Sequence, residues 1–102
     1  MAVVKDITAD TFDETVAGGT VLVDFWAPWC SSCKMLNAVL EQVAATAPAD
    51  VVIAKVNVDN EAALAAKFEV VSLPKMLIYK DGALVREFKG VQSRAKIVEA
   101  LS

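Results

Sequence analysis

Apolar and polar residues follow one another along this chain in a pattern that predicts alternating strands and helices. Residues 3–7 form a short β-branched segment that is typical of an edge strand. Residues 20–26 are apolar on both faces except at Asp24, which predicts a central strand covered by helices on both sides. Residues 51–56 predict a second buried strand, with the single charge of Lys55 inside it.

Helical spacing and capping residues predict the first two helices. Thr8 or Thr11 can cap the first helix, Thr11 and Glu14 fit a capping box, and the Gly18-Gly19 pair ends it. The second helix covers about residues 32–46. Its inward stripe is Met35, Leu36, Val39, Leu40 and Val43.

The last third of the chain predicts a short helix, a hairpin and a closing helix, over residues 61–67, 76–88 and 94–101. Asn60 is the expected cap of the short helix, and Lys80-Asp81-Gly82 is a hairpin signal. Ser93 is the expected cap of the closing helix, which turns Ile97, Val98 and Leu101 inward. The order β-α-β-α-β-α-β-β-α predicts an α/β fold with helices on both sides of a mixed sheet, in one domain spanning residues 1–102.

The composition narrows the class of protein. The chain has 102 residues, of which 56% are hydrophobic and 23% charged, enough apolar material for one core. A net charge of -3 without a basic cluster argues against a nucleic-acid partner. The apolar runs are too short to span a bilayer, and no signal peptide is visible. We expect a cytoplasmic monomer that binds neither nucleic acid nor membrane. A secreted domain without its leader is the alternative with the same pattern.

The chain lacks histidine, which removes several kinds of site. Cys–His and Ser–His catalysis and Cys/His zinc sites are excluded. The only two cysteines, Cys30 and Cys33, fill half of a tetrahedral metal site, so we expect no metal. A dimer that supplies four cysteines to a metal or an iron–sulfur cluster stays open as an alternative.

The two cysteines follow the central strand at the start of the second helix. Residues three apart share a helical face, so Cys30 and Cys33 can bond. The free N–H groups and the positive end of the helix, together with the neighbouring Lys34, stabilise a thiolate. This pattern predicts a redox-active dithiol. A structural pair, or two buried thiols, is the other interpretation.

Asp24 is the candidate proton acceptor. It shares its strand face with Leu22 and Trp26, which predicts burial rather than the exposure of an ordinary polar residue. Burial raises the pKa of a carboxyl group, as suits a base that works near neutral pH. For Lys55, pairing with Asp24 and plain solvation at a strand end both stay open.

Four short motifs carry a resemblance to a known family. Residues 25–35 read Phe-Trp-Ala-Pro-Trp-Cys-x-x-Cys-Lys-Met. The others are Lys55-x-Asn57-x-Asp59, Leu73-Pro74 and Gly90. Over essentially its whole length the chain resembles the thioredoxin family. The resemblance implies the thioredoxin fold, with about five strands in a central mixed sheet flanked by about four helices. It also implies no bound cofactor beyond a redox-active Cys30–Cys33 disulfide.

The resemblance also implies roles for individual residues. Cys30 would be the exposed nucleophile that attacks a substrate disulfide, and Cys33 would resolve the mixed disulfide. Asp24 would assist proton transfer at Cys33, with Lys55 as its charge partner. Trp26 and Trp29 would pack around the dithiol.

The implied partners are disulfide-containing substrate proteins and a flavin-dependent thioredoxin reductase or another dithiol donor. Substrate would contact Trp29 and the backbone at Leu73 and Gly90. Pro74 would be cis and face the cysteines.

The sequence departs from the family at several places. Ser31-Ser32 stands where thioredoxin has Gly-Pro, which puts two hydroxyls near the Cys30 sulfur and restores a backbone N–H. Donors near the thiolate favour the reduced form and predict a less negative reduction potential. Lys75 replaces a threonine after Pro74, which predicts a flexible charge beside the site. Ser72 replaces a glycine in the substrate-facing loop.

Besides the metal-binding dimer, three functions therefore compete. The leading one is a protein-disulfide reductase, and the second is a more oxidising thiol oxidase or isomerase tuned by Ser31-Ser32. The third is a non-catalytic binding module built on the same fold. A binding module would need none of Asp24, Cys30, Cys33 and Pro74. The presence of all four residues therefore argues against it.

Overall fold

The predicted order of elements is confirmed in the computed structural model, which describes residues 1–102. The strands are β1 (Val3–Asp6), β2 (Thr20–Trp26), β3 (Val51–Asn57), β4 (Lys75–Lys80) and β5 (Ala83–Lys89). The helices are α1 (Ala9–Val16), α2 (Ser31–Thr46), α3 (Ala62–Lys67) and α4 (Arg94–Leu101). None of the four helices has the length and apolar content needed to cross a membrane.

The five strands form one mixed sheet in the order β1-β3-β2-β4-β5. Strands β1 and β2 run parallel to β3, whereas β4 runs antiparallel to both β2 and β5. Strand β1 lies at an edge and β2 at the centre, as predicted. The register pairs Asp24 of β2 with Lys55 of β3 on one side and with Met76 of β4 on the other.

Two apolar cores cover the two faces of the sheet because the strand residues alternate in direction. One core lies under α2 and α4, and it includes Leu22, Leu36, Ile53, Ile78 and Ile97. The other lies under α1 and α3, and it includes Phe12, Val23, Phe25, Leu64 and Leu77. Asp24 shares the face of Leu22, so α2 packs over it.

Helix α2 begins one residue earlier than predicted, and its stripe is narrower. Cys30 is its N-cap. Leu36, Leu40 and Val43 are buried, but the prediction that Met35 faces inward is wrong, since its side chain is 64% exposed. Met35 lies on the flank of the stripe, beyond the width that the sheet covers.

Three further predictions about helices need correction. Helix α1 begins after Thr8, and Thr11 Oγ1 accepts from the Thr8 N–H at 3.1 Å, so the predicted Thr11–Glu14 capping box is wrong. Helix α3 begins after Glu61 rather than after Asn60. In α4 the cap is confirmed, with Ser93 Oγ accepting from the Lys96 N–H, but Val98 is exposed on the flank of the buried stripe.

The hairpin turn between β4 and β5 is confirmed. Asp81 and Gly82 both have positive φ, 51° and 86°, as a two-residue turn that matches strand twist requires. A Cβ at Gly82 would lie 3.1 Å from the Ala17 carbonyl oxygen, so this turn position requires glycine.

Candidate active site

The two cysteines lie where the central strand β2 passes into helix α2. They are paired as a disulfide, with their Cα atoms 5.2 Å apart. Cys30 Sγ accepts a hydrogen bond from the Cys33 N–H at 3.2 Å, so a free N–H of the first helical turn points at this sulfur. In this disulfide form Cys30 is only 7% exposed and Cys33 only 3%, so the expectation of an exposed Cys30 is wrong for this form.

The two cysteines line different spaces. Cys30 lines an open surface groove of about 730 Å³, together with Trp29, Ser31, Ser32, Val58, Val70, Val71, Ser72 and Leu73. Cys33 instead lines an inner cavity of about 270 Å³ that also contains Asp24. The pair therefore lies between an open groove and a cavity that contains a buried carboxyl group.

The groove has an apolar rim. Trp29 is 68% exposed, and its ring is oriented by a hydrogen bond of 3.1 Å from Nε1 to Asp59 Oδ1. Val71 is almost fully exposed on the far side. Apolar side chains left in water at the edge of a cleft are the kind of surface that a partner covers.

Only one of the two serines reaches the Cys30 sulfur. Ser32 Oγ lies 3.3 Å from Cys30 Sγ and also donates to the Leu73 carbonyl oxygen at 3.3 Å. Ser31 is exposed, and its hydroxyl makes no hydrogen bond. The expectation that both hydroxyls stand at the sulfur is therefore wrong, because Ser31 occupies the first helical position and points to solvent.

The segment before β4 contacts the cysteine pair through Leu73, which packs against the cluster of Ala27, Cys30 and Cys33. The Leu73–Pro74 peptide bond is cis, as the resemblance implied. The Gly90 N–H, just after β5, donates to the Pro74 carbonyl oxygen at 2.9 Å. The structure thus brings Leu73, Pro74 and Gly90 together from two strand ends.

Asp24 is buried as predicted, with 1% of its surface exposed. Its Oδ1 atom has no hydrogen-bond partner. Burial raises the pKa of this carboxyl from 3.8 to about 7, although the positive charge of Lys55 acts in the opposite direction. The neighbouring Trp26 is half-buried, and its Nε1 also lacks a partner.

The sequence left two alternatives open for Lys55, pairing with Asp24 and solvation at the strand end, and the structure shows neither. The Lys55 ammonium donates to Asn37 Oδ1 at 2.5 Å and lies 5.1 Å from the centre of the Trp26 ring. It makes no ion pair with Asp24. The sequence interpretation missed Asn37, although its place four residues after Cys33 puts it on the same helical face.

The chain is similar to known proteins over nearly its whole length. Residues 3–102 match the sequence profile of the thioredoxin family. The chain belongs to the thioredoxin family. It is 44% identical over 101 residues to the thioredoxin of Staphylococcus haemolyticus, covering 99% of this chain and 96% of that one. Identity to the thioredoxin of Staphylococcus aureus is 45%, over the same shares of the two chains.

A solved structure gives the same result for the fold. A mutant thioredoxin from Halobacterium salinarum superposes with a TM-score of 0.86 at 32% sequence identity, covering 97% of this chain and 88% of that chain. The five-stranded mixed sheet and four helices are therefore the thioredoxin fold. Family membership and the paired cysteines support thiol–disulfide oxidoreductase activity.

Lys75 differs from its expected place in the thioredoxin site. It is 6% exposed, and its ammonium donates to the Phe68 carbonyl oxygen at 2.8 Å. Glu87 Oε1 lies 3.6 Å from the same nitrogen. Lys75 is paired with Phe25 in the β2–β4 register, so its side chain points to the same face of the sheet as Phe25, opposite to that of Asp24. The prediction of a flexible charge beside the cysteines is wrong.

The remaining features of the site concern charge and metals. Lys34 is exposed and lines the inner cavity beside Cys33. No group of three or more His, Cys, Asp and Glu side chains is arranged to hold a metal ion. In the disulfide form, the ionisable side chains that line the inner cavity are those of Asp24, Lys34 and Lys55.

Proposed function

We propose that this thioredoxin-family chain is a protein-disulfide reductase and acts as one domain, with Cys30 as nucleophile and Cys33 as the resolving thiol. The observation that carries the proposal is the division of the pair between two spaces. Cys30 lines the open groove, and Cys33 lines the inner cavity with Asp24. A nucleophile must meet a substrate from outside, whereas a resolving thiol needs a base that is held ready for it.

The first step is attack by the reduced enzyme. The Cys30 thiolate attacks one sulfur of the substrate disulfide, the substrate S–S bond breaks, and the other substrate sulfur leaves as a thiolate that takes a proton from water. A mixed disulfide then joins Cys30 to the substrate. The Cys33 N–H, the helix N-terminus and the charge of Lys34 would stabilise the Cys30 thiolate before the attack.

The second step releases the product. Asp24 takes the proton of the Cys33 thiol, and the Cys33 thiolate attacks Cys30 Sγ. The mixed disulfide breaks, and the second substrate sulfur leaves as a thiolate. Two electrons have then passed from the cysteine pair to the substrate, and the Cys30–Cys33 disulfide remains. Lys55 serves as the nearby positive charge that moderates the pKa of Asp24.

The groove is the proposed binding surface for the substrate. An extended peptide beside Cys30 would use the backbone at Leu73 and the carbonyl oxygen of Gly90 as hydrogen-bonding groups, because the Gly90 N–H already donates to the Pro74 carbonyl oxygen. The cis Pro74 would face the disulfide. Trp29 supplies apolar contact area at the rim. Binding at Leu73 requires the Ser32 hydroxyl to leave the Leu73 carbonyl oxygen or to share it.

Ser32 also favours a second candidate function. Its hydroxyl stands 3.3 Å from Cys30 Sγ and can donate to the thiolate once the disulfide is reduced. A donor that stabilises the reduced form makes the disulfide a stronger oxidant, so we expect a potential less negative than about −270 mV. A value near −200 mV would favour an oxidase or isomerase role within the same chemistry.

The proposed reductase needs a supply of electrons. A flavin-dependent thioredoxin reductase or another dithiol donor would return the Cys30–Cys33 disulfide to the dithiol. We place the reaction in the cytoplasm, where thiols are kept reduced. The proposal needs no bound cofactor, because the electrons reside in the two cysteines.

The first test is reduction of a disulfide-bonded protein. With insulin as substrate and dithiothreitol as electron donor, the wild-type chain should accelerate reduction. Cys30→Ser should fall to the rate of dithiothreitol alone, and Cys33→Ser should accumulate the mixed disulfide. Retention of the full rate in Cys30→Ser would overturn the proposal and favour the binding-module alternative.

The second test separates reductase from oxidant. Equilibration of the cysteine pair with defined glutathione ratios gives its reduction potential. Ser32→Ala should make the potential more negative by about 30 mV, because a hydrogen bond to a charged sulfur is lost. Ser31→Ala is the matched control and should leave the potential unchanged, since its hydroxyl has no partner. Equal potentials in all three proteins would contradict the tuning by Ser32.

A further inference from the structure

Lys55 and Asp24 face each other in the register of β2 and β3, yet their charged groups do not meet. Asn37 on helix α2 accepts a hydrogen bond from the Lys55 ammonium, and the Trp26 ring lies against the same cation. Asp24 Oδ1 is left buried and without a partner. All four side chains line the same inner cavity.

We propose that Asn37 is a positioning residue that holds the Lys55 ammonium away from the Asp24 carboxyl. The inference rests on the proposed function only for its consequence, namely that the base serving Cys33 stays unpaired. Without the Asn37 acceptor, the flexible lysine would swing to the unpartnered carboxylate, because a buried charge seeks its opposite. The ion pair would lock the carboxyl in its charged form and weaken it as a proton acceptor.

Of the charged groups around Asp24, Lys55 is the one that this proposal concerns, because its charge acts on the pKa of Asp24. Helix α2 contributes the neutral or disulfide-bonded Cys33, the exposed Lys34, and Glu41, which accepts from Asn37 Nδ2 at 3.5 Å. Strand β4 presents the uncharged Met76. Lys55 is the charge whose effect on the Asp24 pKa is resolved, and it lowers that pKa from its present distance.

Two substitutions of similar volume at Asn37 make opposite predictions. Asn37→Leu removes the acceptor and frees Lys55, so the pKa of Asp24 should fall from about 7 to about 6. Asn37→Asp holds Lys55 more firmly and adds a negative charge near Asp24, so the same pKa should rise above 7. A purely structural role of Asn37 would not produce opposite shifts.

The measurement is an NMR titration of the Asp24 carboxyl carbon in the disulfide form of the full chain, in which neither cysteine titrates. Gln42→Leu is the matched control, because it makes the same change of amide to leucine at an exposed position of α2. It should leave the Asp24 pKa unchanged. In a Lys55→Met background, Asn37→Leu should no longer shift this pKa, since the cation is gone.

Two results would overturn the proposal. One is an unchanged Asp24 pKa in Asn37→Leu, and the other is an equal fall with and without Lys55. The titration needs no turnover, so it stands apart from the reductase assay. If the pKa shifts as expected while the pH profile of mixed-disulfide resolution stays in place, the positioning of Lys55 holds and the proposed role of Asp24 fails.

Discussion

Two charged side chains, Asp24 and Lys75, are buried on opposite faces of the same sheet, and their surroundings differ. Lys75 donates to the Phe68 carbonyl oxygen and has Glu87 at 3.6 Å. Asp24 has a cavity beside it and an Oδ1 atom without any partner. One buried charge is satisfied by the fold, and the other is not.

The two surroundings differ in whether the charged group already has partners. Lys75 has them, whereas one oxygen of Asp24 remains free to accept a proton or a hydrogen bond. A buried polar group without partners costs folding free energy, and a fold keeps such a group where another use outweighs the cost. The unsatisfied oxygen of Asp24 lies in the cavity that Cys33 lines, whereas Lys75 lies outside both spaces around the disulfide. The two faces of the sheet therefore each bury one charge, with partners on one face and without a partner for Oδ1 on the other.

The largest expected effect comes from removing the unsatisfied charge. The folded-state pKa of Asp24, about 7, is above the ordinary 3.8, so the folded chain binds this proton more tightly than the unfolded chain. Its contribution to stability is fully present below about pH 3.8 and is lost as the pH rises to about 7. At pH 8 Asp24→Leu should raise the free energy of unfolding by about 4 kcal/mol, and the gain should shrink toward pH 4.

Urea unfolding of the disulfide form between pH 4 and pH 8 measures this effect. The chain has no histidine to titrate in that range. Asp50→Leu, at an exposed position, is the control and should show no such pH dependence. A gain in stability that is the same at pH 4 and pH 8 would contradict the raised pKa.

The next-largest expected effect is on catalysis. We expect it for a substitution at Asp24 but not for one at Lys75, on the opposite face of the sheet. Asp24→Asn keeps the shape of the side chain but cannot serve as the proposed acceptor of the Cys33 proton, so mixed-disulfide resolution at pH 7 should slow by about 100-fold. The rise of the wild-type rate around pH 7 should disappear as well. Stopped-flow measurement of product release gives both quantities. Lys75→Met in the same assay should match the wild type, and a comparable loss there would erase the distinction between the two charges.

Removing the satisfied charge should cost stability. Lys75→Met leaves the Phe68 carbonyl oxygen without its donor, so the free energy of unfolding should fall by about 1.5 kcal/mol. Lys89→Met, at an exposed position opposite Lys75 on β5, is the matched control and should change stability by less than about 0.5 kcal/mol. Urea denaturation of the two variants decides it. A stabilised Lys75→Met would mean that the lysine, like Asp24, is a charge that the fold tolerates at a cost.

The sequence predicts the strands and helices and the burial of Asp24, but it does not predict the burial of Lys75. The burial of Asp24 follows from its apolar neighbours on β2, and the Asp81-Gly82 turn and the Ser93 cap follow from local backbone chemistry. Lys75 could not be placed, because Leu73-Pro74 interrupts the alternation just before it and only the pairing of β4 with β2 fixes its face. Local pattern does not contain that register.

Asn37 shows the same limit within the site. Its spacing from Cys33 places it on the inward side of α2, but its contact with Lys55 depends on how that helix packs over β3. Ser31 and Ser32 are adjacent in sequence, yet only Ser32 turns to the sulfur, because the first helical turn sends neighbouring side chains in directions about 100° apart. Tertiary packing therefore decides which polar residues take part.

The smallest effect tests which of its two partners holds Lys75. Glu87 is about half-exposed, and its oxygen is 3.6 Å from the ammonium, a pair that solvent screens. The Phe68 carbonyl is closer, at 2.8 Å, and fixed by the backbone. Glu87→Gln should therefore lower the free energy of unfolding by only about 0.5 kcal/mol, and the loss should vanish in 1 M salt. If urea denaturation instead gave a loss as large as that of Lys75→Met, the ion pair rather than the carbonyl would hold the lysine. The satisfied charge would then depend on ionic strength.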